Sequence, residues 1–157
     1  MENPSESMVA VGAATAVLAL FMWLCGTITT YVRGKSMESP NGEDGPVMAF
    51  FNRAFFVPLK DHVTLENNVE NDAVVNRWLR ITANNTANIP ITLLVFFAVA
   101  YADSLSAAIL VPLIWTFVAA RFAHTFFYAT SIQPFRTAAY SIGATCMMIG
   151  AASILVA

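Results

Sequence analysis

The sequence predicts an all-α integral membrane protein that forms a four-helix bundle. Of its 157 residues, 57% are hydrophobic and 11% are charged, whereas a typical soluble domain has roughly 25% charged residues. Thirteen of the 18 charged residues lie between Arg33 and Arg80, so long apolar stretches flank that region. This length allows a single membrane domain, residues 1–157, with a few spans. The formal net charge of -2 provides no basic field and excludes nucleic acid as a partner.

The first predicted span covers residues 8–32, which carry no charge and are long enough to cross a hydrocarbon core of about 30 Å. The acidic segment before it fits neither a secretory signal nor a transit peptide, so we expect the span to be retained. Residues 33–80 form a predicted loop, in which Met48–Leu59 is too short to span and is interpreted as an interfacial segment. Acidic residues from Glu66 to Asp72 favour a helix start near Asp72.

The second predicted span covers residues 81–101, and Pro90 is expected to bend it. Five residues at the entry to this span are spaced at intervals of three and four, so they share one helical face, the polar face of the second span. They are Arg77, Arg80, Asn84, Ala87 and Asn88. For the two arginines, a face that meets interfacial water and a functional face both remain open. The three asparagines Asn84, Asn85 and Asn88 lie deeper, where hydrocarbon cannot satisfy an amide, and we expect them to face other helices.

The third predicted span covers residues 105–128, with a kink at Pro112. Arg121, His124 and Tyr128 are spaced at i, i+3 and i+7, which places a cation, an imidazole and a phenol on one stripe. A lone histidine is more often a satisfied core residue than a functional one. Three polar groups in register at membrane depth instead favour a site.

The fourth predicted span covers residues 137–157 and follows Arg136, which shares a helical face with Tyr140. Six of the eight Lys and Arg residues lie in the first loop and Arg136 lies in the third. The positive-inside rule therefore predicts that these two loops are cytoplasmic and that both termini lie across the membrane. Cys25 and Cys146 lie inside apolar runs, and the sequence shows neither a metal-binding spacing nor a disulfide framework.

Two motifs carry a resemblance to a known family. They are V-x-R-x-x-R-x-x-x-N at Val75–Asn84 and R-x-A-H-T-x-x-Y at Arg121–Tyr128. Together with four predicted spans and a long first loop, they resemble the membrane-associated proteins in eicosanoid and glutathione metabolism, the MAPEG family. The similarity covers about residues 20–150 and is nearest to the branch of microsomal glutathione transferases and microsomal prostaglandin E synthase.

The resemblance implies a homotrimer that binds glutathione between subunits and uses its thiolate against a lipophilic electrophile or peroxide. By position, Arg136 is the expected thiolate-stabilising residue, and Thr137 is expected to donate a hydrogen bond to the sulfur. The residues expected to bind glutathione are Arg33, Arg80, Asn84, Arg121, His124, Tyr128 and Tyr140. The family's usual membrane is the endoplasmic reticulum, and mitochondrial and bacterial membranes stay open.

One departure from the family pattern leaves a second hypothesis. The family motif reads N-D-x-E, whereas this chain has Ala87 at the position of the glutamate that the resemblance assigns to the amino group of glutathione. Loss of such an ion pair costs about 2–5 kcal/mol of binding free energy. The alternative is a structural protein that has kept the helical bundle and lost catalysis, as an accessory subunit of a larger membrane complex.

Overall fold

Four α-helices account for almost all of the residues that the computed structural model describes, which are 5–35 and 68–156. They are α1 (Glu6–Lys35), α2 (Asn68–Ala102), α3 (Ala107–Ala129) and α4 (Gln133–Val156). By length and composition, all four can cross a membrane. The predicted all-α fold with four membrane-spanning helices is thereby confirmed, and the chain is an integral, multi-pass membrane protein.

Part of the predicted first loop lies outside the described residues. The proposed interfacial segment Met48–Leu59 falls there, as do the first four residues of the acidic N-terminal segment. The cytoplasmic placement of loop 33–80 and the extent of the single domain therefore stay predictions.

The helices begin at somewhat different residues from those expected. Helix α2 already begins at Asn68, four residues before Asp72. Helix α4 begins at Gln133, four residues before residue 137, where the fourth predicted span begins. Pro134 is thus the second residue of α4, and in the first helical turn its missing N–H has no intrahelical acceptor to lose. Pro90 and Pro112 lie within unbroken helices, and the bends expected there stay predictions.

Two left-handed residues end α2 and α3. Asp103 has φ 50° and Ser131 has φ 62°. Beyond each, a backbone N–H reaches back five residues, from Ser104 to the Val99 carbonyl and from Ile132 to the Phe127 carbonyl, at 3.2 and 2.9 Å. This pattern is the Schellman motif, which satisfies helix-end carbonyls while it reverses the chain. The motif produces the short connections from α2 to α3 and from α3 to α4.

The chain divides into two compact units, residues 1–23 with 83–157 and residues 24–82. In the larger unit, the rings of Phe96 and Phe117 pack edge to face with their centroids 5.7 Å apart. Both side chains are almost fully buried. In the smaller unit, Thr29 Oγ1 lies 2.8 Å from Thr82 Oγ1 and also donates to the Cys25 carbonyl at 2.8 Å. Hydroxyls that bond within the protein in this way are tolerated in apolar surroundings.

Glycines let α4 approach its neighbours closely. A Cβ atom at Gly150 would lie 3.2 Å from Val95 Cγ1 of α2, which is closer than ordinary contact. At Gly143 a Cβ atom would meet the Phe117 ring of α3 at an ordinary 3.6 Å. Small residues at helix contacts are typical of membrane bundles, where close packing replaces the hydrophobic effect. The close approach at Gly150 packs α4 directly against α2.

Candidate functional site

A buried arginine joins α3 to α2. Arg121 is only 2% exposed. Its Nη2 donates hydrogen bonds to Asn84 Oδ1 at 2.7 Å and to Asn85 Oδ1. Hydrogen bonds from a charged donor are stronger than those between neutral groups, and ionisable groups at membrane depth usually mark functional positions. The predicted site residues Asn84 and Arg121 are therefore in direct contact.

Asn85 is the more deeply buried of the two amides, at 1% exposure. Its Nδ2 donates to Thr125 Oγ1 at 3.2 Å, one helical turn beyond Arg121 on α3. The amide thus bridges a guanidinium and a hydroxyl of the same helix. The sequence predicts that Asn85 faces another helix, but neither Asn85 nor Thr125 is among the predicted site residues. The available signal was the spacing of four that puts Asn85 in line with the buried Ile81 and Ile89.

The polar face expected on α2 is only partly directed inward. Arg80 and Ala87 are exposed, and Arg77 is half-buried. The Asn88 amide donates at 2.8 Å to the Asn84 carbonyl of its own helix. The expectation that the asparagines face other helices thus agrees with the contacts of Asn84 and Asn85, whereas the hydrogen bond of Asn88 is intrahelical.

His124 lies on the same side of α3 as Arg121 and is 3% exposed. The centroid of its ring lies 5.7 Å from that of Tyr128 and 5.9 Å from that of Tyr140. Its buried Nδ1 has no hydrogen-bond partner among the residues that the structure describes. Nearly all buried polar atoms in folded proteins have a partner, so this nitrogen is suited to bind a ligand or a water molecule.

Arg136 stacks on Tyr128 across the turn between α3 and α4. Its guanidinium carbon lies 4.5 Å from the centroid of the Tyr128 ring, which is a cation–π contact. Arg136 is half-buried and Tyr140 is 40% exposed. Thr137 is exposed, and its hydroxyl makes a long hydrogen bond of 3.4 Å to the Gln133 carbonyl. A hydroxyl in this position can turn toward a ligand at little cost.

The larger unit therefore contains seven of the nine predicted site residues. They are Asn84, Arg121, His124, Tyr128, Arg136, Thr137 and Tyr140. The observed contacts form two connected groups, one around Arg121 and one in which Tyr128 touches both His124 and Arg136. Arg33 is half-buried, Arg80 is exposed, and both belong to the smaller unit. Their part in the site stays a prediction.

This arrangement is suited to an anion. Guanidinium groups recognise carboxylates through charge-assisted hydrogen bonds. The site contains two guanidinium groups, Arg121 before His124 in the sequence and Arg136 after it. Within residues 5–35 and 68–156, no group of three His, Cys, Asp or Glu side chains lies close enough to hold a metal ion. Through their guanidinium groups, Arg121 and Arg136 can bind an anion and stabilise a negatively charged atom.

The model of the MAPEG family matches residues 9–156, which is nearly the whole chain. A comparison with curated proteins found no significant match.

Proposed function

The chain belongs to the MAPEG family, and on that premise we propose that it is a glutathione-dependent membrane enzyme. The family includes glutathione-dependent transferases and related enzymes. In the proposed reaction, the glutathione thiolate attacks a lipophilic electrophile or a peroxide. We further propose that the chain is nearest to the branch of microsomal glutathione transferases and microsomal prostaglandin E synthase, and that it acts as a homotrimer in the endoplasmic reticulum.

The observation that carries the proposal is the buried Arg121 in contact with Asn84 and Asn85. Burying a guanidinium costs several kcal/mol even after relaxation. A bundle that needed only stability would gain more from an apolar side chain at this position. A buried guanidinium is worth this cost in free energy if it binds an anion. Glutathione supplies suitable anions because it carries two carboxylates. His124, with its buried Nδ1, lies one turn away and offers a further polar contact.

Arg136 is the proposed thiolate-stabilising residue. A free thiol has a pKa of about 8.5, so it is mostly protonated at neutral pH, and a nearby cation lowers that pKa. Tyr128 holds the Arg136 guanidinium through the cation–π contact, and the neighbouring Thr137 hydroxyl is proposed to donate to the sulfur. Tyr140 is proposed to contact glutathione from the next turn of α4. Arg33 and Arg80 complete the proposed binding set.

The sulfur supplies an electron pair in either version of the reaction. In a transfer, that pair forms a carbon–sulfur bond while the leaving group departs with the electrons of its own bond. In a peroxide reduction, the sulfur forms a bond to one peroxide oxygen while the O–O bond breaks and the other oxygen leaves as an alcohol. The sulfur of a second glutathione then attacks the resulting sulfenic acid, which forms the disulfide and releases water. The thiol proton leaves to water or to the departing group. Apolar helices on all sides would concentrate the lipophilic substrate from the bilayer.

One observation favours the alternative, a structural or accessory subunit that has lost catalysis. Ala87 is exposed on α2 and has no charge with which to hold the amino group of glutathione. Under the enzymatic proposal, the Ala87→Glu variant would bind glutathione more tightly than the wild type. If the affinity does not rise, the amino group is held in another way or is not held by this position.

Arg136 gives the direct test of the chemistry. We expect glutathione to show a thiolate absorbance band on binding to the wild-type protein in detergent. Arg136→Ala should abolish that band and conjugation of an aromatic electrophile, while Arg136→Lys, which keeps the charge, should retain part of both. An unchanged band in Arg136→Ala would show that the sulfur lies elsewhere. Absence of glutathione binding by the wild type would favour the structural alternative.

A further inference from the structure

The stretch of α2 that contacts Arg121, residues 84–88, carries no acidic side chain. It consists of three asparagines, a threonine and an alanine. The Oδ1 atoms of Asn84 and Asn85 both accept hydrogen bonds from Arg121 Nη2. A guanidinium only donates hydrogen bonds, so these two amide oxygens point toward the cation. This part of the candidate site therefore combines a positive charge with neutral side chains.

The acidic side chains that the structure describes in the larger unit, those of Glu6 and Asp103, lie far from this stretch. At about 1.5 Å per helical residue, Asp103 lies about 28 Å beyond Asn84 along α2. Glu6 lies about 22 Å before Phe21 along α1. The Phe21 ring packs against Phe122 of α3, next to the buried arginine, with the ring centroids 4.2 Å apart. Neither carboxylate is therefore within reach of a ligand that binds at this arginine.

Two positions in this stretch lack the charge that the family motif N-D-x-E carries there. Asn85 stands in place of the aspartate and Ala87 in place of the glutamate. Ala87 follows Asn84 by three residues and shares its helical face, and it is exposed. A side chain at position 87 is therefore placed beside a ligand bound at Arg121, and alanine offers that ligand no charge.

Glutathione carries two carboxylates and one ammonium group at neutral pH. A guanidinium binds a carboxylate through charge-assisted hydrogen bonds but repels an ammonium. Water screens this repulsion poorly at Arg121, which is 2% exposed. We propose that the neutral residues at positions 85 and 87 leave the amino group of the ligand unpaired, so that the site takes anionic thiols whose amino group is absent or acylated at least as well as glutathione. That the ligand is a thiol rests on the proposed function.

Glutaryl-cysteinylglycine, which is glutathione without its amino group, is the probe that tests the proposal. Calorimetry with the full-length wild-type protein in detergent measures its dissociation constant and that of glutathione. We expect the dissociation constant of the probe to be equal to that of glutathione or up to about tenfold lower, because the probe brings no ammonium to the guanidinium. If glutathione binds more tightly than the probe, a carboxylate of the protein holds the amino group and the proposal is overturned.

Ala87→Glu places a carboxylate on the face that Asn84 occupies, where it can pair with the ammonium of glutathione, a group that the probe lacks. We expect the ratio of the two dissociation constants to shift toward glutathione by about tenfold or more. Thr86→Glu is the matched control, because it adds the same charge at an exposed position about 100° away around the helix. Its ratio should stay within about threefold of the wild-type ratio. No shift in Ala87→Glu, or an equal shift in both variants, would overturn the proposal.

The two ligands also distinguish this inference from the proposed function. A wild type that binds and conjugates glutathione but binds the probe more weakly would retain the function and overturn the inference. A wild type that binds the probe but neither binds nor conjugates glutathione would retain the inference and overturn the function. If the wild type binds neither ligand, both fail.

Discussion

Replacing Asn85 by leucine is expected to be among the most destabilising single changes in the larger unit. The variant keeps the volume of the side chain roughly constant but removes its hydrogen bonds to Arg121 and to Thr125. The guanidinium would stay buried with one fewer acceptor. A hydrogen bond to a charged group contributes about 1.5–3 kcal/mol and a neutral one about 0.5–1.5 kcal/mol. We therefore expect a loss of about 2–4 kcal/mol in the free energy of unfolding.

The same reasoning predicts that a second change will recover part of the loss. The double variant Asn85→Leu/Arg121→Met also removes the buried guanidinium that has lost its Asn85 acceptor. The double variant should therefore be more stable than Asn85→Leu alone, with a coupling energy of about 1.5–3 kcal/mol. Denaturant unfolding in detergent micelles, followed by circular dichroism, measures the stability of the wild type, the two single variants and the double variant. Strict additivity would refute the energetic role assigned to the Arg121–Asn85 contact.

Three further predictions concern the packing and the site. Gly150→Leu should destabilise the bundle by about 1–3 kcal/mol, because even a Cβ atom there lies 3.2 Å from an α2 side chain; Gly143→Ala, where the contact is 3.6 Å, should be tolerated in the same unfolding assay. Ser131→Gly should raise stability by about 1 kcal/mol, since φ 62° is unfavourable for serine, and an unchanged thermal midpoint would argue against strain. Tyr128→Leu should loosen Arg136 and reduce the thiolate band, whereas Tyr128→Phe should preserve it; equal loss in both would implicate the phenol hydroxyl instead.

Helical spacing was sufficient to predict the polar stripe of α3. Residues three and seven positions apart lie on one side of a helix whatever surrounds them. The structure places Arg121 and His124 on the buried side and the half-buried Tyr128 beside Arg136. The four spans followed equally from composition, because only long apolar helices satisfy their own backbone in lipid.

Spacing could not decide which polar residues of α2 point inward. Asn84 and Asn85 are neighbours in the sequence, so they lie about 100° apart on the helix, and both are amides. The residue that sits deepest is the one aligned with the apolar Ile81 and Ile89, not the one aligned with Arg80. Thr125, the partner of Asn85, lies among apolar residues in the sequence, and nothing in its spacing distinguishes it from other threonines. Which residues of two helices form such a pair depends on how the helices pack against each other. That packing cannot be derived from the spacing of residues in a single sequence.

The central claim is that the cluster of Arg121, His124, Tyr128 and Arg136 serves a glutathione-dependent reaction. Calorimetric titration of glutathione into the wild-type protein in detergent tests it most directly. We expect saturable binding at or below millimolar glutathione, with at least tenfold weaker binding in Arg121→Leu, roughly 1.4 kcal/mol. No heat of binding from the folded wild-type protein at millimolar glutathione would contradict the claim and leave the structural alternative.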